Sequence, residues 1–153
     1  MCNALGKGMI RSIMPLSLLM LALPSAALAG DASAVFGDWR TEDGGAVLRL
    51  APCSETDPAP CGTILSADIP DGAPTTDVNN ADPSLRDQPI IGLTMLDGFE
   101  ASGDKWKGGR IYNPEDGKSY KSSLEVRDDA PDVLRVKGCI AFLCQTQKWT
   151  RVG

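Results

Sequence analysis

Residues 106–127 read WKGGRIYNPEDGKSYKSSLEVR, and the folding of this stretch decides the architecture of the chain. From Lys118 to Arg127, Tyr120, Ser122, Leu124 and Val126 fall on one face, with Ser119, Lys121, Ser123, Glu125 and Arg127 on the other. Alternation of period two marks a half-buried β-strand. Trp106–Asn113 reads as a second strand, and Asn113-Pro114-Glu115-Asp116-Gly117 between them is turn chemistry. Proline presets its own φ, aspartate accepts local backbone hydrogen bonds, and glycine supplies a positive φ without steric cost. The stretch therefore predicts a β-hairpin. Glu115 and Asp116 are then hydrated residues at its tip, not a catalytic pair.

The strand before the turn leaves two readings open. By simple alternation Trp106, Arg110 and Tyr112 share a face, whereas a bulge at Gly108-Gly109 swaps the register and turns Ile111 inward. In the first case Arg110 and Tyr112 join Tyr120 in a polar interior cluster suited to an anionic or hydrogen-bonding ligand, because a buried charge requires partners. In the second, Arg110 is an exterior residue laid across aromatic faces.

The same alternation extends outward. Ala46–Leu50, Leu134–Ile140 and Gln145–Val152 repeat it, and Val35–Thr41, Gly62–Ile69 and Ile90–Leu96 bring the count to about eight short strands. Antiparallel strands joined by short hairpins lose both exposed edges when the sheet closes. Closure makes the first and last strands neighbours, so Arg151 can cover the indole of Trp39, a contact worth about 0.5–2 kcal/mol. The expected fold is all-β: a single antiparallel up-and-down β-barrel with one long loop and one short helical turn. The long loop is Asp68–Gln88, broken by Pro70, Pro74 and Pro83. Within it Asp82 is the expected N-cap of a turn beginning at Pro83. Loops of this length are often functional, which adds Asp77, Asn80 and Arg86 to the candidate site. Asp77, Asn79 and Asp82 hint at calcium, but Ala81, Asp82 and Gln88 stand where the position-5 ligand, the glycine and the glutamate of an EF-hand belong. Asx-type turns explain these residues better, and no metal is expected.

Near the N-terminus, Lys7 and Arg11 precede an apolar run, Ile13–Leu23, too short to span a bilayer. Pro24 breaks the run, and Ala27-Leu28-Ala29 is a small-x-small cleavage pattern. Residues 1–29 therefore read as a cleaved signal peptide and 30–153 as one exported barrel domain, periplasmic or secreted. Gly30-Asp31 follows the cleavage pattern in place of the cysteine a lipid anchor needs. Cys2 leaves with that peptide. Cys53, Cys61, Cys139 and Cys144 allow three pairings, of which spacing favours Cys53–Cys61 and Cys139–Cys144, each worth up to about 2–3 kcal/mol. Zinc would ask for C-x-x-C spacing or histidine, and the chain has no histidine. The net charge is −5, and the excised peptide carries bases but no acid. An acidic domain without a basic stripe disfavours nucleic acid and anionic membrane surfaces as partners.

Gly37-x-Trp39 with a late arginine, Arg151, resembles the lipocalin and calycin pattern. A wider set of residues resembles the bacterial exported family known as domain of unknown function 2147. These are Gly37-x-Trp39-x-Thr41, Cys53 with Cys61-Gly62, Asp77-x-Asn79-Asn80, Asp82-Pro83-x-Leu85-Arg86 and Gly92-Leu93. The pattern continues through Trp106-x-Gly108-Gly109-x-Ile111-Tyr112-Asn113-Pro114-x-Asp116-Gly117-Lys118-x-Tyr120, Leu134-x-Val136-x-Gly138-Cys139 and Gln147-x-Trp149-Thr150-Arg151. Gln88 stands where that pattern usually has arginine. The resemblance implies export and one compact, lipocalin-like β-domain, with no established activity.

The leading functional expectation is a binding module that holds a small, partly apolar ligand in the barrel mouth, lined by Trp106, Arg110, Tyr112, Tyr120 and the loop residues Asp77, Asn80 and Arg86. The alternative is an envelope-interaction or stress-tolerance protein with a filled core. An enzyme is the third reading and is not expected, since no histidine, G-x-S-x-G elbow or P-loop is present. Asp77 with Arg86 is the best available pair for one. No catalytic residue and no cofactor are expected.

Overall fold

The structure is a computed structural model that describes residues 31–153; the expected signal peptide, 1–29, lies outside the described residues. Nine strands follow in order: β1 Gly37–Arg40, β2 Ala46–Pro52, β3 Pro60–Ala67, β4 Thr94–Asp97, β5 Glu100–Ser102, β6 Lys105–Asn113, β7 Lys118–Arg127, β8 Ala130–Ile140 and β9 Leu143–Arg151. Every pairing is antiparallel. The ring closes because β1 pairs with β9, Trp39 opposite Arg151, and β4 pairs with β6, Leu96 opposite Ile111. β5 continues along β6 after a break at Gly98-Phe99. β4 and β5 thus share one place in the wall, and the barrel is eight-stranded.

Several expected boundaries shift by a residue or more, two of them for a visible reason. Val35 belongs to a 3-10 turn, Ala32–Val35, N-capped by Asp31, whose side chain accepts from Ser33 N at 2.9 Å. The strand expected from Ile90 begins at Thr94, because Ile90 N bonds back to Thr75 O and keeps the loop going.

The inward positions carry one continuous cluster that includes Trp39, Leu48, Ile64, Leu96, Leu124 and Trp149. Fully burying a large apolar side chain stabilises by about 1.5–3 kcal/mol, so this packed interior is the principal source of stability. The 3-10 turn plugs one end. Trp39 Nε1 donates to Val35 O at 2.8 Å and Trp106 Nε1 to Ala32 O at 2.7 Å. Arg151 lies over the Trp39 ring at 4.1 Å and donates to Phe36 O and Ala34 O at 3.0 and 2.8 Å. Trp106, expected in a ligand lining, is part of this plug and buried.

Since successive strands reverse direction, the β1–β2, β3–β4, β6–β7 and β8–β9 connections gather at the opposite end. There Gln145 and Gln147, on the same face of β9 as buried Trp149, are exposed, which makes the mouth polar. Cys53–Cys61 clasps the β2–β3 connection and Cys139–Cys144 the β8–β9 turn.

Candidate functional site

The site begins with the bulge in β6. Gly108 takes φ +73, and the β6–β7 register shifts between Trp106 and Gly109. Trp106 and Gly109 are consequently both buried, with Gly109 packed directly against the Phe99 ring, while Arg110 and Tyr112 fall on the outer wall. Of the two readings of this strand the exterior one holds, with one change. The partner of Arg110 is a carboxylate, not an aromatic face. Its Nε and Nη2 donate to the two oxygens of Asp97, each at 3.0 Å. That bond holds the guanidinium pKa above its usual value.

The chain between β3 and β4 folds back over this outer wall as a strap. Asp77 N bonds Gln88 O and Ile90 N bonds Thr75 O, so the strap is pinned across its own base. Asp82 caps the 3-10 turn Pro83–Leu85 by accepting from Ser84 N at 2.9 Å. Asp77 is fully buried beneath the strap. Its carboxylate accepts from the Tyr112 hydroxyl at 2.7 and 2.8 Å and from Asn80 Nδ2 at 2.7 Å. Asn79 Nδ2 donates to Pro114 O and Glu115 O at 3.1 and 3.0 Å, which stitches the strap to the β6–β7 turn. Gly117 at φ +68 completes the joint, because a Cβ there would collide with the carbonyl of Asn79. Asp77-x-Asn79-Asn80 and Tyr112-Asn113-Pro114-x-Asp116-Gly117 are therefore two halves of one contact. Burial, and then the Asp77 carboxylate, push the Tyr112 hydroxyl up to about 12.

Between strap and wall lies a groove of about 530 Å³. Leu85, Ile91, Leu93 and Met95 give it apolar sides; Asn80, Gln88, Arg110 and Tyr112 supply polar groups. An apolar concavity with a few convergent polar groups is the usual form of a small-molecule site.

The structure thus divides the sequence-derived residues. Asn80, Arg110 and Tyr112 line the groove. Asp77 braces Tyr112, and Arg86 braces the strap by donating from Nε to Asn80 O at 2.8 Å. The Asp77–Arg86 pair considered above does not form, since the two residues engage Tyr112 and the Asn80 carbonyl instead. Tyr120 stands apart on the inward-facing side of β7 at the mouth. Its hydroxyl bonds Asp116, which raises its pKa. A second cavity, of about 420 Å³, opens beside Tyr120, Lys121 and Ile140. The groove's apolar residues were missed in the sequence. Leu85 and Ile91 look like incidental residues in a polar loop, and only the folding-back of the strap gives them a surface to share. Among the described residues no cluster of three His, Cys, Asp or Glu side chains is placed to hold a metal ion.

A family model described as "Uncharacterized protein conserved in bacteria (DUF2147)" matches residues 37–151. Among solved structures, protein HP1028 from the human pathogen Helicobacter pylori, described as belonging to the lipocalin family, superposes with a TM-score of 0.63 and 21% sequence identity. The match covers 76% of this chain and 82% of that one, and it is a likeness of fold. No curated protein matches the sequence.

Proposed function

The chain belongs to the DUF2147 family of bacterial proteins, and from that premise we propose that it is an exported binding protein whose ligand sits in the groove between strap and barrel wall. In this reading residues 1–29 are removed on export, and 30–153 act as one domain in the periplasm or outside the cell. The ligand is small and amphipathic. Its apolar body lies on Leu85, Ile91 and Leu93, and a carbonyl or carboxylate reaches Arg110. The observation that carries the reading is the pairing of those apolar sides with a guanidinium in one open groove of about 530 Å³. The site expected in the barrel mouth moves to the outer wall because the inward positions below the mouth are occupied by the core cluster.

Binding fits the groove better than catalysis. Asp97 is paired with Arg110, and Asp77 is buried and bonded to Tyr112 and Asn80, so both carboxylates serve the wall and the strap. The test is native mass spectrometry of protein purified gently after export. A non-covalent adduct should be retained by the wild type and lost in both Ile91→Asp and Arg110→Gln. An adduct held equally by the wild type and both variants would remove the groove as its site, and absence of any adduct across a panel of small amphiphiles would remove the binding function.

A further inference from the structure

The β8–β9 hairpin ends in Cys139-Ile140-Ala141-Phe142-Leu143-Cys144, a loop clasped by its own disulfide. Ile140 pairs directly with Leu143, so Ala141 and Phe142 form a two-residue turn. Turns of that length hold residues at positive φ and are normally filled by Asn-Gly, Asp-Gly or glycine. Here Ala141 takes φ 52, and it is the single non-glycine residue at positive φ among the described residues. Phe142 is 88% exposed, Leu143 69% and Ile140 62%. Apolar residues thus stand where turn chemistry asks for polar ones, and an aromatic ring occupies the outermost point. Exposed apolar clusters of this kind mark interaction surfaces.

The surrounding charge says which kind of surface it meets. On the half of β8 and β9 next to the tip Lys137 is a base and no acid is present, in a chain of net charge −5. Arg135 and Lys148 face each other further along the hairpin, and Arg151 lies at the plugged end beside Asp132. Lys137 alternates with buried Val136 and therefore faces out, while Lys118 and Lys121 line the cleft beside Ile140. Two acids further from the tip are engaged by other residues. Glu125 pairs with Lys105 and more loosely with Arg135, and Glu42 accepts from Lys148 N. Glu115 and Asp116, on the β6–β7 turn, and Asp43, on the β1–β2 turn, confine the positive face to the β7–β9 side.

We propose that this tip docks on an anionic phospholipid bilayer, with Phe142 and Leu143 entering the headgroup boundary and Lys118, Lys121 and Lys137 meeting lipid phosphates. Apolar side chains ringed by cations are the composition of interfacial anchors. The expectation drawn from net charge ran the other way, but fields decay over about 8–10 Å in physiological salt. A bilayer touching the tip is governed by the nearby lysines, not by acids across the barrel. The disulfide and the Ile140–Leu143 pairing hold the tip ready, so docking orders little that was loose.

Flotation of the exported protein with phosphatidylglycerol vesicles, and with phosphatidylcholine vesicles for comparison, tests this. The wild type should bind the anionic vesicles and lose binding as salt rises. A Phe142→Ser/Leu143→Ser double variant should bind at least about tenfold more weakly, since it forfeits two large apolar side chains. Phe142→Leu should retain most of the binding, and Lys118→Gln/Lys121→Gln/Lys137→Gln should remove the preference for anionic lipid. All four chains share the same N-terminus, so differences between them report the tip alone. Near-UV circular dichroism verifies that the variants are folded. Wild type that ignores anionic vesicles at low salt, or a double serine variant that binds as well as wild type, overturns the proposal. So does a photo-crosslinker at position 142 that captures one envelope protein while vesicles are left unbound, which would assign the tip to a protein partner.

Discussion

Replacing Tyr112 by Phe deletes one oxygen and asks what holds the strap to the barrel. The hydroxyl donates to both oxygens of Asp77, at 2.7 and 2.8 Å, and Asn80 Nδ2 donates to one of them at 2.7 Å. Asp77 is out of reach of solvent, so water cannot replace the missing donor. A hydrogen bond to a charged group contributes about 1.5–3 kcal/mol. At about 4 °C per kcal/mol for a domain of this size, the variant should melt about 6–12 °C lower. Amide exchange should accelerate first over residues 76–92, the part of the strap directly pinned. Alkali gives a second readout. The Tyr112 pKa is raised from 10.0 to about 12, with burial the larger cause. The folded state therefore holds this proton more tightly than the unfolded chain does. Its contribution to stability is complete below pH 10 and is lost as pH climbs toward 12, with a slope of at most about 1.4 kcal/mol per pH unit. Tyr120 is raised as well, so the comparison is made in a Tyr120→Phe background, where Tyr112→Phe should flatten that alkaline limb. A variant melting within about 1 °C of its parent, or an unchanged alkaline limb in that background, would refute the account of the joint.

Three further outcomes are expected. Gly117→Ala should cost more than the roughly 1 kcal/mol of left-handed strain alone, because its methyl meets the Asn79 carbonyl; urea denaturation showing only about 1 kcal/mol would mean the strap yields there. Arg151→Met should cost about 3 kcal/mol by removing charge-assisted bonds to Ala34 O and Phe36 O together with the cation over Trp39, and should expose the amides of the N-terminal 3-10 turn to exchange. Cys53→Ser/Cys61→Ser should lower stability by about 2–2.5 kcal/mol, the chain-entropy value for so short a loop, and a loss below about 0.5 kcal/mol would show the β2–β3 connection to be held by its backbone bonds.

The parts of the fold that are local were legible in the sequence. The alternation from Ser122 to Val126 is carried by the chain itself, and the turn at Asn113–Gly117 is specified by residue types with few other uses. The strand Trp106–Asn113 was ambiguous for a definite reason. Glycine permits the left-handed φ of Gly108 without requiring it, and the choice is made by Phe99, which needs Gly109 beneath its ring. Phe99 itself gave no sign in the sequence, sitting as it does between Gly98 and a three-residue strand. The loop 68–88 was recognised as unusual, yet its chemistry depends on Tyr112, Pro114 and Gly117, which no local pattern connects to Asp77 or Asn79. Asp77, Asn80 and Arg86, expected together, do lie together in the strap, where Asp77 bonds Tyr112, Arg86 bonds the Asn80 carbonyl and Asn80 lines the groove. Net charge hid the β8–β9 tip, because an average cannot show that the stretch flanking that turn, Val136–Gln147, carries a lysine and no acid.

The union of β1 with β9 also governs the order of assembly. Hairpins such as β6–β7 bring together residues near in sequence and can form early, whereas Trp39 and Arg151 belong to strands at opposite ends of the described chain. Contacts of such wide separation are slow to form, since the intervening chain must first be gathered. Until β9 arrives, β1 has one vacant flank and the Trp39 indole lacks its cap. A chain cut short before residue 143 therefore leaves an unsealed sheet, whose open edges are templates for pairing with a second copy. The final nine-residue strand is the rivet of the fold.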